Sequence, residues 1–212
     1  MARGAFPTAS NGRWSSYPTP WRDTSRNGAY SSARVVSVQN GVLRKYLHHA
    51  DGDYRVAALM PVLPGGSTNQ LYGRYAVRFR ADAVEGYKVA WLLWPQSERW
   101  PYDGEIDFPE GDLTGSMCAF MHKQGATSGS DQDAYCSGTG FRDWHTAVIE
   151  WAPGSVKFYL DGRLIGHSTS RIPNTPMRWV LQTETRLGGG PPPVSAAGNV
   201  EIDWVAIWRY AP

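Results

Sequence analysis

The fold is indicated most clearly by the stretch Gly73-Arg74-Tyr75-Ala76-Val77-Arg78-Phe79-Arg80. Tyr75, Val77 and Phe79 alternate with three arginines, which is the period of two expected of a half-buried β-strand. The apolar side chains are predicted to face a core, and the arginines are predicted to form a basic outer face.

Other stretches extend this pattern along the chain. Residues 35–47 are interrupted by Asn40-Gly41, and residues 156–165 by Asp161-Gly162. Such dipeptides accept the positive φ angles of a type I′ turn, so both stretches predict β-hairpins. Residues 200–208 carry apolar side chains at both parities, which predicts an inner strand of two stacked sheets with both faces buried.

Composition excludes several classes of protein. The 212 residues contain 21 Lys and Arg against 19 Asp and Glu, a net charge of +2 without the concentrated basic charge of nucleic-acid or membrane-surface proteins. No apolar run approaches the roughly 18 residues of a membrane-spanning helix. Ten Trp and 42% hydrophobic residues can build a sizeable core, while 23 Gly and 15 Pro interrupt long helices. We predict one all-β domain over residues 1–212, with residues 1–30 as an N-terminal extension packed on it.

Cys118 and Cys136 are the only cysteines, so a structural zinc site built on cysteine ligands is excluded. The pair can form one disulfide or remain as two buried thiols, and the residues leave both alternatives open. The first residues lack the apolar region of a signal peptide. Neither a G-x-S-x-G nor a G-x-x-x-x-G-K-[ST] motif is present, which argues against serine esterases and nucleotide-binding proteins.

The most informative motif is Glu105-Ile106-Asp107-Phe108-Pro109-Glu110. On a β-strand Glu105 and Asp107 share one face, whereas Glu110 falls on the other face unless one extra residue is inserted. A β-bulge inserts such a residue, and Pro109, which cannot donate a ladder hydrogen bond, suits that position. With the bulge, three carboxyl groups are predicted to lie together on one face.

Three crowded carboxylates repel one another, so the pKa of at least one is expected to rise. One ionised and one protonated carboxyl are what cleavage of a glycosidic bond requires, and a separation of about 5–5.5 Å implies retention of configuration. The alternative interpretations are a solvated acidic edge and a Ca²⁺ site.

The motif closely resembles the E-x-D-x-x-E signature of glycoside hydrolase family 16, the laminarinase, agarase and lichenase group. The likeness continues along the chain in the family's order. The other matching stretches are Leu71-Tyr72-Gly73-Arg74-Tyr75, Ala90-Trp91-Leu92-Leu93-Trp94-Pro95 followed by Trp100-Pro101, Trp144-His145-Thr146 with Ile149-Glu150-Trp151, Lys157-Phe158-Tyr159-Leu160-Asp161-Gly162, and Ile202-Asp203-Trp204-Val205.

The resemblance implies a β-jelly-roll sandwich of two antiparallel sheets, of the concanavalin-like kind, with the catalytic strand in a concave sheet. It makes Glu105 the nucleophile and Glu110 the general acid/base, protonated at rest. Asp107 would orient the nucleophile. Residues 1–30 lack the family's usual acidic opening, and residues 180–184 depart from its usual pattern, which leaves calcium binding and the identity of the sugar open.

Substrate-binding residues are expected around these acids, because sugar rings stack their apolar faces on aromatic side chains. Trp91 and Trp94 lie on opposite faces of a strand, so at most one lines a groove, and Trp94 shares the parity of Trp100. His122 could instead have a purely structural role, and residues 182 and 184 could instead form an exposed edge. The predicted substrate-binding residues are Trp100, Trp94, His122, Gln182 and Glu184.

We therefore predict a secreted, monomeric, retaining endo-glycoside hydrolase that cleaves a β-linked polysaccharide, with β-1,3-glucan as the default substrate. An anionic polymer is an alternative substrate, because the cationic Arg99 and Lys123 are close in sequence to the catalytic strand. No cofactor is required, although the resemblance implies a structural Ca²⁺ ion at Asp203. The alternatives are a lectin-like glycan-binding module and a transglycosylase on the same fold.

Overall fold

Two β-sheets hold almost all the regular structure of the chain in the computed structural model, which describes residues 1–212. A 3₁₀ turn at Thr8–Ser10 and a single α-helical turn, α1 (Ser32–Val35), are the only helical elements. The strands are β1 (Trp14–Ser16), β2 (Gly28–Tyr30), β3 (Val36–Gln39), β4 (Val42–Ala50), β5 (Asp53–Val56), β6 (Ala58–Pro61), β7 (Asn69–Gln70), β8 (Gly73–Ala81), β9 (Tyr87–Pro95), β10 (Glu105–Asp112), β11 (Cys118–His122), β12 (Gln132–Cys136), β13 (His145–Ala152), β14 (Ser155–Leu160), β15 (Arg163–Ser168), β16 (Met177–Thr185) and β17 (Gly198–Trp208).

The eight-stranded sheet, called the groove sheet below, has the order β1-β6-β16-β9-β10-β11-β12, with β7 also paired to β16. The nine-stranded back sheet has the order β15-β14-β13-β8-β17-β4-β5-β2, with β3 also paired to β4. Sequence neighbours are often distant in a sheet, as in a jelly roll. Every pairing is antiparallel except that of β2 with β5, so the expectation of purely antiparallel sheets is wrong at this one edge.

Strand β8 has the predicted alternation. Tyr75, Val77 and Phe79 are buried between the sheets. The arginines of the outer face pair with acidic side chains of neighbouring strands, as in the 2.6 Å contacts from Arg78 to Asp203 and from Arg80 to Glu201. The stretch therefore forms a central strand of the back sheet, between β13 and β17.

Both predicted hairpins are confirmed. Strands β3 and β4 are joined by Asn40 and Gly41, with φ of 52° and 80°. Strands β14 and β15 are joined by Asp161 and Gly162, with φ of 50° and 81°. The dipeptides take the left-handed conformations that a tight turn requires.

The last strand differs from its prediction in one half. Strand β17 is an inner strand between β8 and β4, as expected, and Val200 and Ile202 are buried. The register then shifts between Ile202 and Trp204, which turns Trp204 and Trp208 outward to partial exposure. The prediction of two buried faces is therefore wrong beyond Ile202, because a bulge reverses the alternation.

One cluster of 42 buried apolar residues lies between the sheets and extends from Phe6 to Ile202. The first thirty residues take part in it, since Phe6 is 2% exposed and β1 and β2 pair with β6 and β5. Within residues 1–30, β1 therefore belongs to the groove sheet and β2 to the back sheet. None of the helical elements has the length and apolar character needed to cross a membrane.

Cys118 and Cys136 form a disulfide between directly opposed residues of β11 and β12. Of the two alternatives left open by the sequence, the structure therefore shows the covalent one. The bond ties β12, the last strand of the groove sheet, to its only partner in that sheet.

Loss of this disulfide is expected to lower stability. The bond spans 18 residues, for which chain entropy gives about 3 kcal/mol. We expect replacement of both cysteines by serine to lower Tm by roughly 6–10 °C in calorimetry. Dithiothreitol should lower Tm of the native chain similarly and leave the double variant unaffected; an equal Tm for both proteins would contradict this role.

Candidate active site

The three predicted acids lie on β10, between β9 and β11 of the groove sheet. Asp107 is opposite Leu92 of β9, whereas Glu110, three residues on, is opposite Ala90, only two residues away from Leu92. Strand β10 therefore contains one extra residue, and the predicted bulge is confirmed. As a result Glu105, Asp107 and Glu110 all line the same groove.

The groove has a volume of about 500 Å³ and crosses the face of the groove sheet that points away from the core. Alternate residues of β9 form part of its floor, namely Lys88, Ala90, Leu92 and Trp94. Exposed side chains at its margins, among them Trp21 and Leu187, show that the groove reaches the surface.

Two tryptophans form an aromatic wall beside Glu105. The indoles of Trp94 and Trp100 stack with an interplanar angle of 17° and a centroid distance of 6.1 Å, and Trp100 is 41% exposed. Trp91, at the opposite parity, is fully buried in the core. The structure thus confirms that one of the two β9 tryptophans faces the groove, and that it is Trp94.

The loop that carries Trp100 is held by a buried carboxylate, Asp103. Its oxygens accept hydrogen bonds from Arg99 Nη2 at 3.0 Å, Ser97 Oγ at 2.5 Å and Gln124 Nε2 at 3.2 Å. Arg99 Nε donates as well, at 3.1 Å, and a fully buried carboxylate satisfied by three side chains orders the loop and hence the aromatic wall. This role was not predicted from the sequence, because Asp103 lies between two strands, where no side-chain alternation and no motif singles it out.

Burial dominates the electrostatics of the first two acids. Glu105 is 7% exposed and Asp107 1%. Burial, and then the charge of Asp107, raise the pKa of Glu105 well above its usual range. Burial, and then the charge of Glu110, do the same to the pKa of Asp107. The expected rise in carboxyl pKa is confirmed for these two groups, with desolvation as the larger cause.

His122 lies against the same pair of acids. Its Nδ1 is 2.9 Å from the carbonyl oxygen of Gly129, to which it donates. Its Nε2 is 3.3 Å from Asp107 Oδ2 and 3.8 Å from Glu105 Oε2. Both oxygens of Asp107 are buried without a hydrogen-bond partner. Glu105, Asp107 and His122 therefore form one compact polar cluster, with ligand atoms within 4.8 Å of one another.

Glu110 has a different environment, because it is paired with a lysine. Lys88 Nζ donates to Glu110 Oε1 at 2.5 Å, and the Lys88 side chain is only 8% exposed. An adjacent cation favours the charged carboxylate. The protonation of Glu110 at rest stays a prediction, and the salt bridge with Lys88 is the feature of the structure that bears on it.

Gln182 and Glu184 of β16 are buried and line the groove, so the alternative of an exposed edge is excluded. Glu184 Oε1 accepts hydrogen bonds from the Tyr30 hydroxyl at 2.6 Å and from Thr24 Oγ1 at 2.8 Å. Burial raises the pKa of Glu184 despite these two donors. The carboxylate thus anchors the N-terminal segment to the groove sheet.

All five residues predicted to bind substrate line the groove together with the three acids. Arg99 and Lys123 do not line it; Arg99 pairs with Asp103, and Lys123 lies 3.0 Å from Asp133. The structure therefore gives no support to an anionic substrate through these two residues. The groove residues that sequence analysis missed are Tyr17, Trp21, Arg22, Asp23, Thr24, Tyr30, Lys88, Ala90, Leu92 and Leu187.

Of the missed residues, Lys88 had a signal in the sequence. It is the one charged residue in the apolar stretch Tyr87–Pro95 and shares the parity of Trp94. The residues of the N-terminal segment had none, because their position in the groove depends on contacts with β16 more than 150 residues away.

Asp203 does not form a calcium site in the structure. Its carboxylate accepts from Arg78 Nη1 at 2.6 Å on the outer face of the back sheet. Calcium requires several oxygen ligands, and a guanidinium already neutralises this one. The residues at Asp203 therefore do not fit the ion.

Comparison with known proteins gives a consistent result. A family model described as glycosyl hydrolases family 16 matches residues 63–206, more than half of the chain. A β-glucanase of Rhodothermus marinus is 27% identical over 216 residues, covering 85% of this chain and 73% of that protein. A β-glucanase of Acetivibrio thermocellus is 30% identical over 122 residues, covering 55% of this chain and 35% of the relative, so the chain spans about a third of that relative's length.

The fold has solved counterparts as well. The laminarinase of Rhodothermus marinus superposes with a TM-score of 0.78 at 20% identity, covering 95% of this chain and 92% of that one. At this identity the likeness concerns the β-jelly-roll fold alone. Because the family model covers more than half of the chain and includes all three acids of β10, the chain belongs to glycosyl hydrolases family 16.

Proposed function

We propose that the chain is a retaining endo-β-glucanase whose preferred substrate is a β-1,3-glucan. The observation that carries the proposal is the bulge of β10, which brings Glu105, Asp107 and Glu110 onto one face of an open groove. Carboxyl groups are the catalytic groups of most glycoside hydrolases, and retention uses one as nucleophile and one as acid/base.

In the first step, a Glu105 oxygen attacks the anomeric carbon and the bond from that carbon to the leaving oxygen breaks. Glu110 gives its proton to the leaving oxygen. In the second step, a water molecule attacks the same carbon, Glu110 takes the water's proton, and the bond to Glu105 breaks. Both carboxyls return to their initial states, and two displacements restore the configuration.

Asp107 and His122 would act on the charge of the nucleophile. Attack requires ionised Glu105, whereas burial holds its pKa high. The nearby His122 lowers that pKa, and a proton kept on Asp107, whose own pKa is raised, removes a competing charge. We therefore assign Asp107 as the group that holds a proton beside Glu105 while Glu105 reacts.

The aromatic wall supports a polysaccharide substrate. Trp94 and Trp100 present ring faces beside Glu105, and pyranose rings stack on such surfaces. Trp21 and Leu187 line the groove and are exposed, so the groove is open to solvent, as internal cleavage of a polymer needs. We propose a β-glucan because the similar proteins are β-glucanases and laminarinases. The aromatic side chains of the groove support binding of a sugar.

We further propose that the protein acts outside the cell. The Cys118–Cys136 disulfide supports this, because disulfides persist in oxidising compartments and are rare in the cytosol.

A polysaccharide panel tests the proposal. Laminarin, lichenan, agarose and xylan are incubated with the protein, and reducing ends and product sizes are measured over time. We expect cleavage of laminarin, with a mixture of oligosaccharides at early times. Products longer than the starting polysaccharide would contradict hydrolysis and indicate a transglycosylase. Binding to one glycan without cleavage of any would contradict the proposal and favour a lectin-like module.

A further inference from the structure

Lys88 is placed to act on the acid/base group from the neighbouring strand. Strand β9 lies between β10 and β16, and Lys88 is opposite Asp112 on one side and Glu184 on the other. Its side chain runs along the groove floor and reaches Glu110, two residues from Asp112. Because β9 is paired on both sides, the backbone of Lys88 is held in place.

The ammonium group of Lys88 is largely out of water but remains charged. Burial alone would lower the pKa of Lys88, but the nearby charges of Glu110, Glu184 and Asp107 outweigh it and hold that pKa above its ordinary value. A partly buried charge-assisted hydrogen bond of 2.5 Å is among the stronger contacts a carboxylate can make. Glu110 therefore has a permanent cationic partner at rest.

We propose that Lys88 is a positioning residue that prepares Glu110 for its role as base, by orienting its carboxylate and favouring its charged form. The inference rests on the proposed function, in which Glu110 alternates between acid and base. A cation beside it assists the second step, in which Glu110 removes a proton from water. The same cation restricts the protonated form of Glu110, which the first step needs, to lower pH.

Several charged groups face Glu110, and Lys88 is the one cation among them with a direct contact. Glu105 and Asp107 are on the same strand, and the charge of Glu110 contributes to raising the pKa of both. The remaining charged or titratable groups of the groove are Glu184 from β16, His122 from β11, and Arg22 and Asp23 from the N-terminal segment. Arg22 pairs with Asp53 at 2.6 Å, and Asp23 accepts from Thr185 at 2.7 Å, so both are engaged elsewhere.

The experiment compares the pH profile of kcat/KM for laminarin hydrolysis in the native chain, Lys88→Met and Lys88→Arg. An opposite charge within hydrogen-bond distance shifts carboxyl ionisation by about 1–3 pH units. In Lys88→Met, Glu110 loses the cation that favours its charged form. We therefore expect the basic limb of the pH profile to move to higher pH by about 1 unit or more. Lys88→Arg keeps the charge and should keep the limb near its native position.

A second readout separates the two steps. With an aryl glycoside that carries a good leaving group, the first step needs little acid assistance and the second limits turnover. We expect kcat of Lys88→Met to fall about tenfold or more on this substrate, while KM falls with it because the covalent intermediate accumulates. Lys123→Met, which removes a lysine that pairs with Asp133 outside the groove, serves as the matched control and should leave the basic limb in place.

The failures of the two proposals are distinguishable. If Glu110→Gln hydrolyses laminarin at the native rate, the proposed function itself is wrong. If Glu110→Gln is inactive and Lys88→Met has an unshifted basic limb, only the role of Lys88 is wrong. Should Lys88→Met not fold, as judged by circular dichroism, the smaller change Lys88→Gln replaces it, and an unshifted limb there overturns the inference equally.

Discussion

Replacement of Glu105 by glycine is expected to lower kcat for glucan hydrolysis by at least about 10³-fold, because the reaction loses the group that forms the covalent intermediate. Sodium azide should restore turnover, since a small anion can enter the space left beside the anomeric carbon. One displacement then replaces two, so the glycosyl azide should have the α configuration. The measurement is product analysis by NMR with an activated aryl β-glycoside.

Asp112 provides the control for this prediction. It is exposed, lies on the same strand β10 and does not line the groove, so Asp112→Asn should keep activity near the native level. A Glu105→Gly variant with native activity, or one for which azide yields the β-azide, would show that Glu105 is not the nucleophile.

Replacement of Glu110 by alanine is expected to reduce kcat/KM for laminarin by about 10²–10⁴-fold, the usual contribution of general acid–base catalysis. The loss should depend on the leaving group. A glycoside with a strongly acidic phenol needs no proton to depart, so its first step should be nearly as fast as in the native chain. With this substrate, azide should yield the β-azide, because the nucleophile Glu105 remains.

The leaving-group dependence is what distinguishes an acid/base group from a group that only binds substrate. Equal losses on laminarin and on the activated glycoside would contradict the role of Glu110. Loss of folding is excluded by a Tm close to that of Asp112→Asn.

The alternation of side chains was the most informative feature of the sequence. It correctly predicted the inward face of β8, both hairpins, and the faces of Trp91 and Trp94. These features depend on residues close in sequence, for which strand periodicity and turn residues suffice. The bulge of β10 was also predictable, because only one extra residue brings Glu110 to the face of Glu105 and Asp107.

Contacts between distant segments were not predictable in this way. The bulge of β17 turns Trp204 outward, although the sequence there carries apolar side chains at both odd and even positions. The parallel pairing of β2 with β5 and the hydrogen bond from Tyr30 to Glu184 depend on the whole topology. The deep burial of Glu105 and Asp107, which is the larger cause of their raised pKa values, also depends on the packing of the whole groove and not on the spacing of the motif.

The anomeric form of the first product tests the central claim most directly. Laminari-oligosaccharides are cleaved inside an NMR tube at high enzyme concentration, so that the new reducing end is observed before it mutarotates. The account predicts that the β-anomer appears first and that the α-anomer grows later at the spontaneous rate. Initial release of the α-anomer would show a single displacement by water and contradict Glu105 as nucleophile.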